Sequence, residues 1–143
     1  MPPIDFSDSD FIGAYGVCFD GFLVPVEPPG SPVPMVAVGR MLSGGNGQFL
    51  VWRTVQIPGL NPQEQTADGY YNVDSDGRGT AQLTVKLNDQ PVHIERYSFV
   101  IDGENKEIQF ISTAITYLYG QPFKFPLGGP IHQLVIRGVG KKQ

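Results

Sequence analysis

The chain has 143 residues, 41% of them hydrophobic and 17% charged, with 18 Gly and 13 Pro. This length suits one domain that buries roughly two-thirds of its unfolded surface, and low charge with many turn-formers suits short strands joined by tight turns. A formal net charge of -4 and a pI near 5.0 leave no broad basic field for a phosphate backbone or anionic lipid, so neither nucleic acid nor a membrane is an expected partner.

The opening residues, Met1 to Asp10, have neither the basic nor the apolar segment of a secretory leader, and no apolar run approaches the ~20 residues of a membrane helix. The expected location is therefore the cytoplasm, where the lone Cys18 stays reduced. That thiol lies beside Phe19 in an apolar stretch, and its expected state is buried and inert.

In chain order, the first strand covers Gly13 to about Val26 and ends in a proline-rich loop, Pro25 to Pro34. The second runs from about Pro34 to Leu42 and turns at Ser43-Gly-Gly-Asn-Gly47, where glycines supply positive φ. The third is Gln48–Ile57. After Pro58-Gly-Leu-Asn-Pro62 and a polar loop, the fourth covers about Asp68–Val73, and Asp74 to Gly79 form a hairpin.

The fifth strand, Thr80–Asn88, alternates most cleanly: Ala81, Leu83, Val85 and Leu87 against Thr80, Gln82, Thr84 and Lys86. The sixth is Val92–Ile101, the seventh Lys106–Tyr119 and the eighth Ile131–Gly140. Short links between about eight strands predict an all-β, antiparallel up-and-down barrel, with a two-sheet sandwich as the alternative.

Three segments carry a resemblance. Gly69-Tyr-Tyr-Asn-Val-Asp-Ser-Asp-Gly-Arg-Gly-Thr80 resembles the Gly-x-Tyr-x-Val-x-x-Asp-Gly-x-Gly-Thr hairpin of small bacterial calycin-like barrel proteins. Gly13-Ala-Tyr15 and Val38 to Gly47 resemble the opening strand and second hairpin of that family. The resemblance implies a calycin-like barrel. Barrels of that architecture include lipocalin-type carriers, allene oxide cyclase-like isomerases and polyketide Diels-Alderases, and the analogy concerns fold alone.

In the sixth strand Glu95 and Arg96 are adjacent. Neighbours in a strand point to opposite faces, so at barrel depth one of these charges enters the lumen. Either His93, Glu95, Tyr97, Phe99 and Ile101 line it, or Val92, Ile94, Arg96, Ser98 and Val100 do. The bulk of Tyr97 and Phe99 favours the first face, whereas a bulge would let both charges reach water. A buried carboxylate needs a partner, and Arg53, which shares its face with Phe49, Val51, Val55 and Ile57, is the natural one. The alternative turns Arg53 outward and fills the barrel with Leu50 and Trp52.

The expected function is binding of a mostly apolar small molecule in the lumen, with a cofactor-free cyclisation or isomerisation promoted by Glu95, Arg53 and Tyr97. The substrate wall is drawn from His93, Arg40, Trp52, Tyr71, Phe99, Phe110, Tyr117 and Phe123, and Tyr117 to Pro126 reads as an apolar lid or plug. A non-catalytic carrier is the alternative. No cofactor is implied, two histidines two strands apart make a poor zinc site, and a homodimer through an outer wall is a possible assembly.

Overall fold

The computed structural model describes residues 6–25, 32–102, 106–117, 124–125 and 129–143. Among these residues nine strands follow a 3-10 turn at Asp8–Asp10: β1 (Ile12–Pro25), β2 (Val33–Gly44), β3 (Gln48–Gln56), β4 (Gln63–Val73), β5 (Arg78–Leu87), β6 (Gln90–Ile101), β7 (Glu107–Tyr117), β8 (Lys124–Phe125) and β9 (Gly129–Lys142). Each long strand pairs antiparallel with its sequence neighbour, and β9 pairs with β1 from Tyr15↔Lys142 to Pro25↔Ile131. That last ladder closes an eight-stranded up-and-down barrel and excludes the sandwich. Among the described residues, the two-residue β8 pairs with the start of β9.

Turn chemistry follows from the sequence. Asn88 and Asp89 both adopt positive φ, 49° and 64°, the conformation of a type I′ hairpin between β5 and β6. Gly45 and Gly47 take the left-handed positions between β2 and β3. The fourth strand begins five residues earlier than its composition suggests, at Gln63 instead of Asp68. Gln63 to Thr66 are all polar and hide the strand, yet Gln65 and Ala67 point inward with the period of a ladder.

The wall is less regular at one seam. Between β7 and β9 the backbone ladder covers Glu107↔Lys141 to Ile111↔Arg137, and β7 carries a bulge where Arg96↔Ala114 gives way to Tyr97↔Ser112. The Ser112 hydroxyl takes over from there, donating to the Leu134 carbonyl at 2.8 Å and accepting from the Ile136 N–H at 2.9 Å.

Inward residues from all eight strands fill the interior: Tyr15, Val17 and Phe19 of β1, Met41 of β2, Phe49 and Val51 of β3, Tyr71 of β4, Leu83 of β5, Phe99 of β6, Ile108 of β7 and Ile136 of β9. The segment before β1 caps one end. Phe11 enters the core there against the rings of Tyr15, Phe49, Tyr71 and Phe99. Beside it, Phe6 lies over Gly77.

Candidate functional site

Strict alternation decides the lumen. On β6, His93, Glu95, Tyr97, Phe99 and Ile101 are all buried, and Arg96 lies on the outer face, where its Nη1 donates to the Thr116 hydroxyl at 2.9 Å. On β3, Phe49, Val51, Arg53 and Val55 are buried while Leu50 and Trp52 are exposed. Arg53 and Glu95 therefore meet across the lumen, 5% and 2% exposed.

The carboxylate of Glu95 is filled to capacity. Its Oε1 accepts from Arg53 Nη1 at 2.9 Å and from the Tyr97 hydroxyl at 2.6 Å. Its Oε2 accepts from Arg53 Nη2 at 2.8 Å and contacts His93 Nε2 at 2.8 Å. An ionised carboxylate only accepts, so the His93 proton sits on Nε2 in this contact. Arg53 Nε donates to Gln65 Oε1 at 2.7 Å, Gln65 Nε2 passes a bond on to Gln63 at 2.8 Å, and the guanidinium carbon lies 5.5 Å from the Phe19 ring centre. Gln65 belongs to this network directly across the ladder from Arg53. Nothing in the local pattern marks its inward side chain, because residues 63–66 of β4 are all polar.

Burial on its own would push the Glu95 carboxyl up, but the Arg53 guanidinium and the His93 and Arg53 hydrogen bonds outweigh it and hold the group well below the usual carboxylate range. Arg53 loses to burial and gains more from Glu95, ending further charged. Burial, then the neighbouring Glu95 charge, drives the Tyr97 phenol well above its ordinary value. None of these three groups is thereby poised for proton exchange near neutrality.

A depressed carboxyl contributes stability that is complete above the unfolded value, ~4.3, and is lost as pH falls beneath it toward the folded value. Urea stability is therefore expected to be level between pH 7 and pH 5 and to drop below pH 4. Equilibrium denaturation at stepped pH checks this, and replacing both Arg53 and Glu95 by apolar residues is expected to flatten the drop.

Above the network lies a cavity of about 60 Å³, lined by Arg53 and Tyr97 on one side and by Phe11, Met41, Phe49, Leu83, Phe99 and Phe110 among its apolar walls. Phe110 and Tyr97 meet edge to face at 5.7 Å. Such a void holds a few atoms and falls short of the ~300 Å³ at which pockets for drug-sized ligands begin.

The structure corrects three placements. Trp52, a candidate substrate-wall residue, is 44% exposed on the outer wall, because Val51 and Arg53 take the lumen side of β3. Arg40 faces it there across the β2–β3 ladder, its Nη2 donating to Gln143 at 3.3 Å, since Met35, Ala37 and Met41 fill the inner face of β2. Cys18 is exposed, because the larger Val17 and Phe19 on either side both turn inward. Ellman's reagent is expected to modify Cys18 in the folded protein about as fast as in urea; a thiol modified only after unfolding would contradict that orientation.

Of the other candidates, Tyr71 and Phe99 are buried beside Phe11 at the capped end, and His93 is in the network. The Tyr117 side chain and Phe123, with the proposed lid from Tyr117 to Pro126, lie outside the described residues except for the backbone ends of that stretch. Besides Gln65, two contributors carry no signal in the sequence: Phe11, isolated in an Asp- and Ser-rich stretch, and Ser43, hidden in a turn. Among the described residues no group of His, Cys, Asp or Glu could hold a metal, and no helix is long and apolar enough to cross a membrane. A wider open depression of about 1140 Å³ crosses the outer wall past Cys18, Val38, Val100 and Ile111, with the Asp20–Arg137 contact at 3.6 Å as its central charge pair. Val38, Val100 and Ile111 of its lining are exposed, whereas nearly every residue around the lumen void is buried, and that makes the lumen the stronger site.

No protein-family model matches the chain, and no curated protein matches it in sequence. Among solved structures, a redesigned beta barrel superposes with a TM-score of 0.50 at 12% identity, over 95% of this chain and 94% of its own. The Mycobacterium tuberculosis protein Rv2717c aligns at a TM-score of 0.40 and 14% identity, over 94% of each chain. The first likeness speaks for the barrel fold alone.

Proposed function

We propose that this chain belongs with the calycin-like barrels and binds a small, mostly apolar molecule in its lumen, with an oxygen atom of the ligand directed at Arg53. The observation that carries this reading is an apolar void bounded on one side by a charged guanidinium. Among the described residues Arg53 gives three N–H groups to Gln65 and Glu95 and also engages the Tyr97 hydroxyl, so a ligand oxygen would take what remains of its five donors or compete with Tyr97.

Binding without turnover has the better support. Cyclisation or isomerisation through Glu95 or Tyr97 would need a free lone pair or hydroxyl proton, and Glu95 is already saturated by Arg53, Tyr97 and His93, while the Tyr97 hydroxyl is engaged with Glu95. Their arrangement suits an anchor for Arg53 more than an acid or base.

Hexanol and hexanoate, titrated into the full chain with methyl resonances followed by NMR, test this reading. Saturable shifts are expected at Val51, Leu83 and Ile108, with hexanoate the tighter ligand. Ala81→Leu, which fills the void from the β5 wall, is expected to abolish them with little loss of stability. Shifts confined to the outer-wall methyls of Val38 and Ile111 would overturn it.

A further inference from the structure

The void is too small for a ring, yet it is bounded at one end by a ring that the chain itself supplies. Phe11 is 2% exposed and belongs to no ladder; it enters the barrel from a strap, residues 6–11, that precedes β1. Four aromatic side chains from four different strands surround it, with ring centres 5.2 Å away for Tyr15, 6.3 Å for Phe49, 4.7 Å for Tyr71 and 5.4 Å for Phe99, all edge-on or tilted. Such edge-rich cages favour an aromatic occupant over an aliphatic one.

The backbone of Phe11 is held as specifically as its ring. Its carbonyl oxygen accepts from the buried Ser43 hydroxyl and from the Tyr71 hydroxyl, the latter at 2.9 Å. Those hydroxyls, 3.1 Å apart, come from β2 and β4 and face the interior at the capped end. A barrel that merely needed a stopper would have no use for two buried donors aimed at one carbonyl. With the strap gone Ser43 can donate to Tyr71, but the Tyr71 proton is then left without an acceptor, so an occupant that brings a carbonyl is favoured.

Three further hydrogen bonds tie the described strap to β4 and the turn that follows it. Asp8 Oδ1 accepts from the Val73 N–H at 2.7 Å, the Phe6 N–H donates to the Ser75 carbonyl at 3.0 Å, and the Tyr71 hydroxyl also lies 3.1 Å from the Asp8 carbonyl. Beyond the ring lies the void, continuous with the Arg53 side of the lumen.

We infer that the capped end of the barrel is an aryl-carbonyl binding site that Phe11 occupies in cis: the ring takes the Tyr15, Phe49, Tyr71 and Phe99 cage, and the carbonyl takes the Ser43 and Tyr71 hydroxyls. A competing ligand of this class carries an aromatic ring separated by two carbons from a carbonyl, as in the phenylalanyl unit itself. Entry of that ligand displaces the strap, and the added ring volume brings the lumen toward the ~150 Å³ at which apolar cavities accept benzene. The inference rests on the lumen reading above and names its ligand class.

The test uses the full chain with 3-phenylpropanamide as probe and propylbenzene, which lacks the carbonyl, as its control. In the native protein 3-phenylpropanamide is expected to bind more tightly than propylbenzene and to move the Val73 amide resonance, which reports the Asp8 contact. Asp8→Ala, which removes that contact without touching the cage, is expected to tighten 3-phenylpropanamide about tenfold by freeing the site. Tyr71→Phe added to Asp8→Ala is expected to weaken it several-fold. Phe11→Ala, which vacates only the ring position, is expected to bind toluene, with a saturable rise in melting temperature absent from the native chain.

An Asp8→Ala affinity equal to or weaker than the native one would overturn the inference, as would equal binding of the two probes. If hexanol still shifts the lumen methyls in that case, only the cis-occupied site fails. Loss of the hexanol response in the native chain would instead remove the lumen reading beneath it.

Discussion

Arg53→Ala is expected to cost about 3–5 kcal/mol of folding stability, read as a lowered urea midpoint with an unchanged slope. The reason is the carboxylate that remains. Glu95 is buried and takes both Arg53 Nη donors, so removal of the guanidinium leaves its charge facing apolar walls with only Tyr97 and His93 to satisfy it. Glu95→Ala is expected to cost a similar amount through the stranded guanidinium. Replacing the pair together, Arg53→Met with Glu95→Leu, is expected to cost much less than the sum, because desolvation and attraction disappear at once. Additive losses would mean that the two side chains do not meet in solution.

This pair also marks how far the sequence carries. The lumen face of β6 follows from two facts legible in the chain: Glu95 and Arg96 are consecutive, and Tyr97 and Phe99 share the parity of Glu95. Arg53 follows from its apolar neighbours in the same way. Arg40 obeys the same pattern, flanked by Val36, Val38 and Leu42, yet all four lie outside. Parity tells which residues travel together, and not which set is inside. On β2 both faces are apolar, and the lumen takes Ala37 and Met41, with Met35 on the same face, because the neighbours of the first two across the ladder, Val55 and Val51, already point there.

Phe11 was illegible for a different reason. Residues before a first strand have no period to read, and an isolated aromatic among Asp and Ser carries no sign of the cage it enters. Its burial is set by residues far along the chain: Phe49, Tyr71 and Phe99 come together only once the barrel closes. Likewise Gln65 gains its role from the register Arg53↔Gln65, which no local pattern announces.

Phe11→Ala is expected to cost about 3–5 kcal/mol, in the range of other buried Phe→Ala replacements. A loss at the upper end is expected because the walls around the ring are large aromatic side chains on four strands held in the closed barrel, which close poorly over a vacated volume. The void of about 60 Å³ already adjoins the ring, so the deletion enlarges an existing hole. Phe22→Ala on the outer wall, where the side chain is about half exposed at 47%, serves as the control and is expected to cost about 1 kcal/mol. Urea denaturation of the two variants separates the cases. Toluene at a hundredfold excess over its Kd is expected to restore ~2.7 kcal/mol to Phe11→Ala and nothing to Phe22→Ala, since only the first has a site that the folded chain alone provides. A Phe11→Ala loss below 1 kcal/mol would mean that the strap spends its time outside the barrel, and the cage would then be an open mouth.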